Sequence, residues 1–200
     1  IKEKNPDAGK CGVVCIGPAG ETRVVFSVIE NDYWRSAGRT GVGAVMGSKN
    51  VKAIAFRGSH KREVASPGSL KSFVKSMGQE LKDHPGALAY KNLGTPMMVD
   101  TMNAKGCFPT RYWQKGQAEH RESINAEALN DRCEVVSHAC RKCTMACGKL
   151  STVKHGRHKG LRVEGPEYET IYAFGGLCEV KDIEDIVYLN DVCDRLGMDT

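Results

Sequence analysis

No stretch of this 200-residue chain approaches the roughly 20 consecutive apolar residues needed to cross a bilayer as a helix. No charged-then-apolar leader is visible within these residues either, and a preceding segment could hold one. The chain also has no large surplus of one charge: 29 basic and 24 acidic residues are mixed along most of its length and leave a formal net charge of +5. That balance argues against nucleic acid as a partner, because such binders concentrate basic residues on one face. Internal repeats and low-complexity tracts are absent. A hydrophobic fraction of 40% and a mean hydropathy of -0.39 suit an ordinary soluble globular chain.

Other familiar signatures fail on inspection. Gly41-x-Gly43-x-x-x-Gly47 carries one residue too many for a dinucleotide fingerprint, and Gly47-Ser48-Lys49 inverts the order of a P-loop. The nine cysteines are odd in number and lack framework-like spacing, so metal binding in a reducing cytoplasm is a better reading than a secreted disulfide scaffold. The chain opens on Ile1 and stops on Gly197-Met198-Asp199-Thr200 directly after a helical pattern, which reads as an internal piece of a longer protein.

What is present centres on three thiols, Cys140, Cys143 and Cys147, at the spacing C-x2-C-x3-C. Thiolates so close in sequence can converge on one iron-sulfur cluster or one zinc ion, and a fourth ligand must come from elsewhere. Three close cysteines with a remote fourth favour a [4Fe-4S] cluster. A zinc site, drawing on His138, His155 or His158, and unligated thiols are the alternatives.

The remaining pattern suggests an α+β chain. Arg23 to Ile29 and Val51 to Phe56 read as strands, with a glycine-rich segment from Gly38 to Asn50 between them. That segment is either a tight connecting turn or a backbone open to close approach by a ligand, with Arg39 offering charge to a phosphate. A polar, proline-containing stretch after Ser59 marks a boundary near residue 60. Beyond it Leu70, Phe73, Val74, Met77 and Leu81 recur at helical spacing. Pro166 is placed to open a helix that carries Glu167 and Glu169 in its first turn, where the macrodipole favours anions. The last helix runs from about Asp182 to Leu196, with Gly197 as its left-handed cap.

Asp194 lies in that helix's last turn, against the macrodipole, which points to a job outside the helix or to a salt bridge. Cys178, after Gly175-Gly176-Leu177, reads as a small buried hydrophobe or as a thiol near whatever Glu169 faces. The basic run from Lys149 to Arg162 reads as a solvated loop that could steer an acidic redox partner.

Taken together, these residues resemble the tungsten-containing aldehyde ferredoxin oxidoreductase family. The resemblance rests on Ile16-Gly17-Pro18-Ala19-Gly20-Glu21, the block Gly38 to Ile54, the cysteine trio, Glu164-Gly165-Pro166-Glu167-Tyr168-Glu169, and Cys193 to Thr200. It implies a fold in which residues 1–59 end a β-rich pterin-binding domain and residues 60–200 begin a mainly α-helical domain. It further implies a tungsten bis-pterin (molybdenum being the other metal to consider), a neighbouring [4Fe-4S] cluster held by Cys140, Cys143 and Cys147, and magnesium bridging the pterin phosphates.

Carried over by motif, Arg39, Thr40 and Gly41 would sit at those phosphates, the Thr40 carbonyl toward the magnesium. Asp194, Gly197, Met198 and Asp199 would form the first pterin-binding D-x-x-G-x-D motif, with Met in place of the usual Leu. Glu169 would be catalytic, and Cys178 would lie near the tungsten. The implied reaction oxidises an aldehyde to a carboxylate and passes electrons to ferredoxin or an iron-sulfur subunit, in a cytoplasmic enzyme for which a homodimer is one assembly.

Three features depart from the pattern. Tyr188 replaces an acid that links subunits through iron, the loop after Cys147 is longer and more basic, and Cys178 invites comparison with a relative that reduces an aromatic thioester. A non-catalytic iron-sulfur carrier is the alternative from another class.

Overall fold

The valines of Gly12-Val13-Val14-Cys15 suit a pleated, paired backbone, and in the computed structural model, which describes residues 11–32, 35–60 and 63–200, they form β1 (Gly12–Cys15). With β2 (Ile29–Asn31), β3 (Arg35–Ala37) and β4 (Ala53–Phe56) it makes an antiparallel sheet in the order β3-β2-β1-β4. Val13 lies opposite Ala55, and Val14 opposite Ile54. Residues 1–10, 33 and 34 of the first sequence-assigned domain lie outside the described residues.

The expected strand from Arg23 to Ile29 is a correction: only Ile29 belongs to a strand. Arg23 is left-handed at φ 63, and Val25 is 81% exposed. Local turn bonds satisfy this backbone instead, with Val24 N donating to Ala19 O at 2.8 Å and Ser27 N to Val24 O at 2.9 Å. Within the glycine-rich segment the chain forms a helix rather than a bare turn. Helix α2 (Val42–Ser48) packs against α1 (Pro18–Glu21), which a proline opens.

Past residue 63 come α3 (Pro67–Lys82), α4 (Pro85–Leu93), α5 (Met98–Ala104) and α6 (Ala126–Arg132). Helix α3 forms where the apolar period predicts it, yet none of its residues is buried. The sequence missed an antiparallel sheet of β5 (Cys133–His138), β6 (Gly148–Val153) and β7 (Arg162–Glu164), paired in that order. Most of β6 is buried on both faces, so the alternation that would announce a strand is missing.

Next are α7 (Tyr168–Thr170), a π-helical stretch (Ile171–Leu177) and α8 (Ile183–Leu196). Phe108, Ile124, Leu129, Ile171, Ile186 and Val187 form the centre of this part's core, each no more than 1% exposed.

The described residues divide into two compact units, 11–63 with Val192–Asp199, and Val64–Asp191. Val192–Asp199, in the second half of the sequence, thus cluster with the first unit. Main-chain bonds explain the packing of that end: Val28 N donates to Gly197 O, and Asp199 N to Phe26 O, both at 2.9 Å.

Candidate functional site

In the first unit, main chain meets main chain. Gly41, left-handed at φ 69, precedes α2, and a Cβ there would lie 2.2 Å from Val25 O. At Gly47 a Cβ would lie 1.9 Å from Gly20 O, so α1 and α2 can touch there only because Gly47 lacks a side chain.

This packing delivers Arg39 and Thr40 to the surface just before α2. It also brings Asp199 to them: Arg39 Nε lies 3.5 Å from Asp199 Oδ2. Gly197 caps α8 at φ 71, with its N–H and that of Met198 donating to Cys193 O at 2.8 and 3.1 Å. Met198 bridges to Ser27, and Asp194 is partly exposed in the helix's last turn. Burial, with Asp194 and Asp199 nearby, pushes the Cys193 thiol up to about 11. Arg39, Thr40, Gly41 and Gly197 to Asp199 thus form one neighbourhood from two distant stretches of chain.

In the second unit the cysteine trio occupies the hairpin loop between β5 and β6, closed by the pair His138 and Gly148. Cys143 N donates to Cys140 O at 2.9 Å, and Lys142 and Ala146 are left-handed at φ 66 and 49. Cys140 and Cys143 are exposed, Cys147 is partly so, and all three are free thiols. Among the described residues no three His, Cys, Asp or Glu side chains are gathered closely enough to hold a metal as they stand. The donor chemistry nonetheless fits: three soft ligands share one short loop.

Lys149, which charge alone assigns to a solvated run, is instead only 2% exposed. Its Nζ donates to the carbonyls of Lys91 and Cys147 at 3.0 Å, and it lies 3.2 Å from Tyr90 O and 3.3 Å from Gly148 O. Burial lowers its pKa, while Cys147 and Glu167 act in the opposite direction. Farther along the basic run, Arg157 Nε and His158 Nε2 lie 3.2 and 3.3 Å from Asp185 Oδ1. The His158 ring stacks on Tyr188 at 4.4 Å. That end of the loop is therefore clamped to α8.

Glu169 stands in the first turn of α7 and is exposed. Pro166 does not open this helix, because Glu167 caps it in an extended conformation. Thr95 holds the cap: its hydroxyl accepts from Tyr168 N at 2.9 Å and donates to Glu167 Oε2 at 2.5 Å. Burial, with Cys107, Tyr172 and Glu169, pushes the Tyr168 phenol up to about 12. Cys178 ends the π-helical stretch and is exposed, not the buried small hydrophobe of the plainer expectation. Its N–H donates to Ala173 O at 3.2 Å, five residues back, as a π-turn requires.

Two family models match the chain. The one described as aldehyde ferredoxin oxidoreductase, N-terminal domain, covers residues 1–58, and that for domains 2 and 3 covers residues 72–200. The chain belongs to the aldehyde ferredoxin oxidoreductase family.

It is 37% identical to a tungsten-containing aldehyde ferredoxin oxidoreductase of Thermococcus kodakarensis over 99% of the chain and 32% of that relative. It is 30% identical to the aliphatic sulfonate oxidoreductase, WOR-like subunit, of Pyrococcus furiosus over 94% of the chain and 30% of that relative. The chain therefore spans about a third of the length of the curated relatives it matches. The solved active-site complex BamBC of benzoyl coenzyme A reductase shares the fold, with a TM-score of 0.61 at 22% identity, covering 96% of this chain and 30% of that one.

Against this aldehyde ferredoxin oxidoreductase background, sequence reasoning missed Lys149 and Thr95. Adjacency to the Cys147-Gly148 end of the trio was the available signal for Lys149. Nothing in the sequence marked Thr95, which meets Glu167 from 72 residues away.

Proposed function

We propose that the protein of which this chain is part oxidises aldehydes to carboxylic acids at a tungsten-pterin centre. The observation that carries the reading is the meeting of Arg39 with Asp199, two residues that the family resemblance assigns to pterin binding. When bound, the metal-pterin group and a [4Fe-4S] cluster supply the redox chemistry. One aldehyde and one water become a carboxylic acid, two protons and two electrons. Each electron passes singly to ferredoxin or an iron-sulfur subunit.

The chain's own residues bind, orient and move protons. The Arg39 guanidinium, half exposed, suits charge-assisted hydrogen bonds to phosphate. The Thr40 carbonyl would serve magnesium, and Asp194, Gly197, Met198 and Asp199 would hold the pterin. Cys140, Cys143 and Cys147 would donate three thiolates to the cluster. Glu169, exposed at the head of α7, would accept a proton from the attacking water or from the aldehyde carbon. A cytoplasmic location, and a homodimer without the iron link that Tyr188 removes, accompany this reading. Among the described residues no helix is long and apolar enough to cross a membrane.

In the whole protein with tungsten fully loaded, Glu169→Gln should lower aldehyde-dependent reduction of a one-electron acceptor by roughly 10²- to 10⁴-fold. Wild-type turnover in that variant would remove Glu169 from the reaction. A second reading, reduction of a different substrate, draws on the exposure of Cys178. Under it, Cys178→Ala would abolish activity, whereas under aldehyde oxidation the variant keeps most of it.

A further inference from the structure

Lysine is almost never fully buried unless its charge is matched. Lys149 is 2% exposed, and among the described residues its ammonium donates to main-chain carbonyls rather than to a carboxylate. Its ammonium is surrounded by main-chain carbonyls from two places. Tyr90 and Lys91, near the C-terminal end of α4, present oxygens at 3.2 and 3.0 Å. From the cysteine loop and its exit, Ala146, Cys147 and Gly148 present oxygens at 3.5, 3.0 and 3.3 Å.

The packing around this contact is close. Gly94, at φ 68, has no room for a side chain, since a Cβ would stand 2.8 Å from Cys147 O and 3.1 Å from Lys149 Cε. Ser137 also donates its hydroxyl to Lys91 O. The loop that carries the thiols is therefore tied to α4 through one cation.

Carbonyl dipoles satisfy the ammonium's hydrogens but cannot cancel its charge, and the C-terminal end of α4 adds only a partial negative charge. The site consequently favours an anion beside Cys147. A [4Fe-4S] cluster in thiolate ligation is such an anion, and it gains one more negative charge on reduction.

We propose that Lys149 is a positioning residue for the cluster. It holds Ala146 to Gly148 against α4, and its fixed positive charge beside Cys147 favours the reduced cluster. This rests on the iron-sulfur reading of the trio given above. A buried cation acting at short range through a poorly screened medium affects the reduced state more than the oxidised one.

The test uses the whole protein, purified anaerobically, with Lys149→Met, Lys149→Gln and Lys149→Arg variants. The midpoint potential is read by redox titration of the cluster's paramagnetic signal, and iron release to a chelator is timed. Lys149→Met and Lys149→Gln should lower the equilibrium constant for one-electron reduction about tenfold, a shift of ~59 mV, and should release iron several times faster. Lys149→Arg should keep the one-electron reduction constant within about twofold of wild type, a shift under about 20 mV. A purely structural role predicts faster iron release in all three variants with no shift in potential, which would contradict the proposal. If both neutral variants fail to accumulate, an Lys149→Arg protein with the wild-type potential supports the role of charge, and one shifted tenfold contradicts it. A wild-type protein that contains tungsten but no iron would overturn the cluster reading and this role together, while leaving the pterin reading standing.

Discussion

The two neighbourhoods that carry the candidate chemistry are built differently. Around Arg39 and Asp199 the scaffold is main chain on main chain: α2 touches α1 through Gly47 and Gly20, and Gly197 and Asp199 bond to the backbone of Val28 and Phe26. In the unit that carries the cysteine loop, side chains make more of the structure: Phe108, Ile124, Leu129 and Ile171 fill the core, and the ammonium of Lys149 is buried beside the loop. The first arrangement rests on main-chain contact, and the second adds filled volume and one charge to a close approach of its own at Gly94. A methyl group added to the first should therefore do more damage than a methyl group removed from the second.

That contrast can be broken directly. Gly47→Ala puts a methyl 1.9 Å from the Gly20 carbonyl, and the whole protein should lose about 3 kcal/mol or more in denaturant unfolding. Ile171→Val removes one methyl from a site that is 0% exposed, and should cost about 0.5–1.5 kcal/mol by the same measurement. Equal losses in the two variants would end the distinction.

Arg39→Gln removes a half-exposed ion pair and should change stability by less than about 1 kcal/mol. Its pterin content, measured after denaturation, should nevertheless fall well below wild type. Undiminished pterin would leave Arg39 as surface charge only.

The smallest effect belongs to Tyr168, whose phenol is pushed up to about 12 from an ordinary ~10, first by burial. The folded protein holds this proton more tightly than the unfolded chain does. Its contribution to stability is thus complete below about pH 10 and is lost as pH rises through about 12. Phenolate absorbance should show one late-titrating tyrosine that Tyr168→Phe removes.

Much of this was legible in the residues. The 3.6-residue period located α3, Gly197 marked the end of α8, and the β-rich stretch from Val51 to Phe56 contains β4. The C-x2-C-x3-C spacing marked a candidate metal-binding loop without revealing that the loop tips a hairpin.

The rest was hidden for physical reasons. Valines and a phenylalanine in Arg23 to Ile29 favour a strand locally, but tertiary contacts to α1, α2 and Gly197 turn that segment. Lys149 stands in a run of basic residues, and nothing local distinguishes a solvated lysine from one whose acceptors lie 58 and 59 residues away. Within the π-helical stretch, Gly175 and Gly176 pack against Ile124, Ile186, Phe108 and Pro109, contacts written in other segments. Cys178 follows the same rule: its exposure depends on where that stretch ends.

The proposal to be tested is that the whole protein binds both a tungsten-pterin group and a [4Fe-4S] cluster. Its most direct test is metal counting on the whole protein, purified without oxygen and assayed together for tungsten, molybdenum, iron and pterin. The account predicts tungsten and pterin with about four irons per chain. Iron without tungsten, molybdenum or pterin would contradict it, and would leave an electron carrier whose Arg39 and Asp199 meet for structural reasons alone.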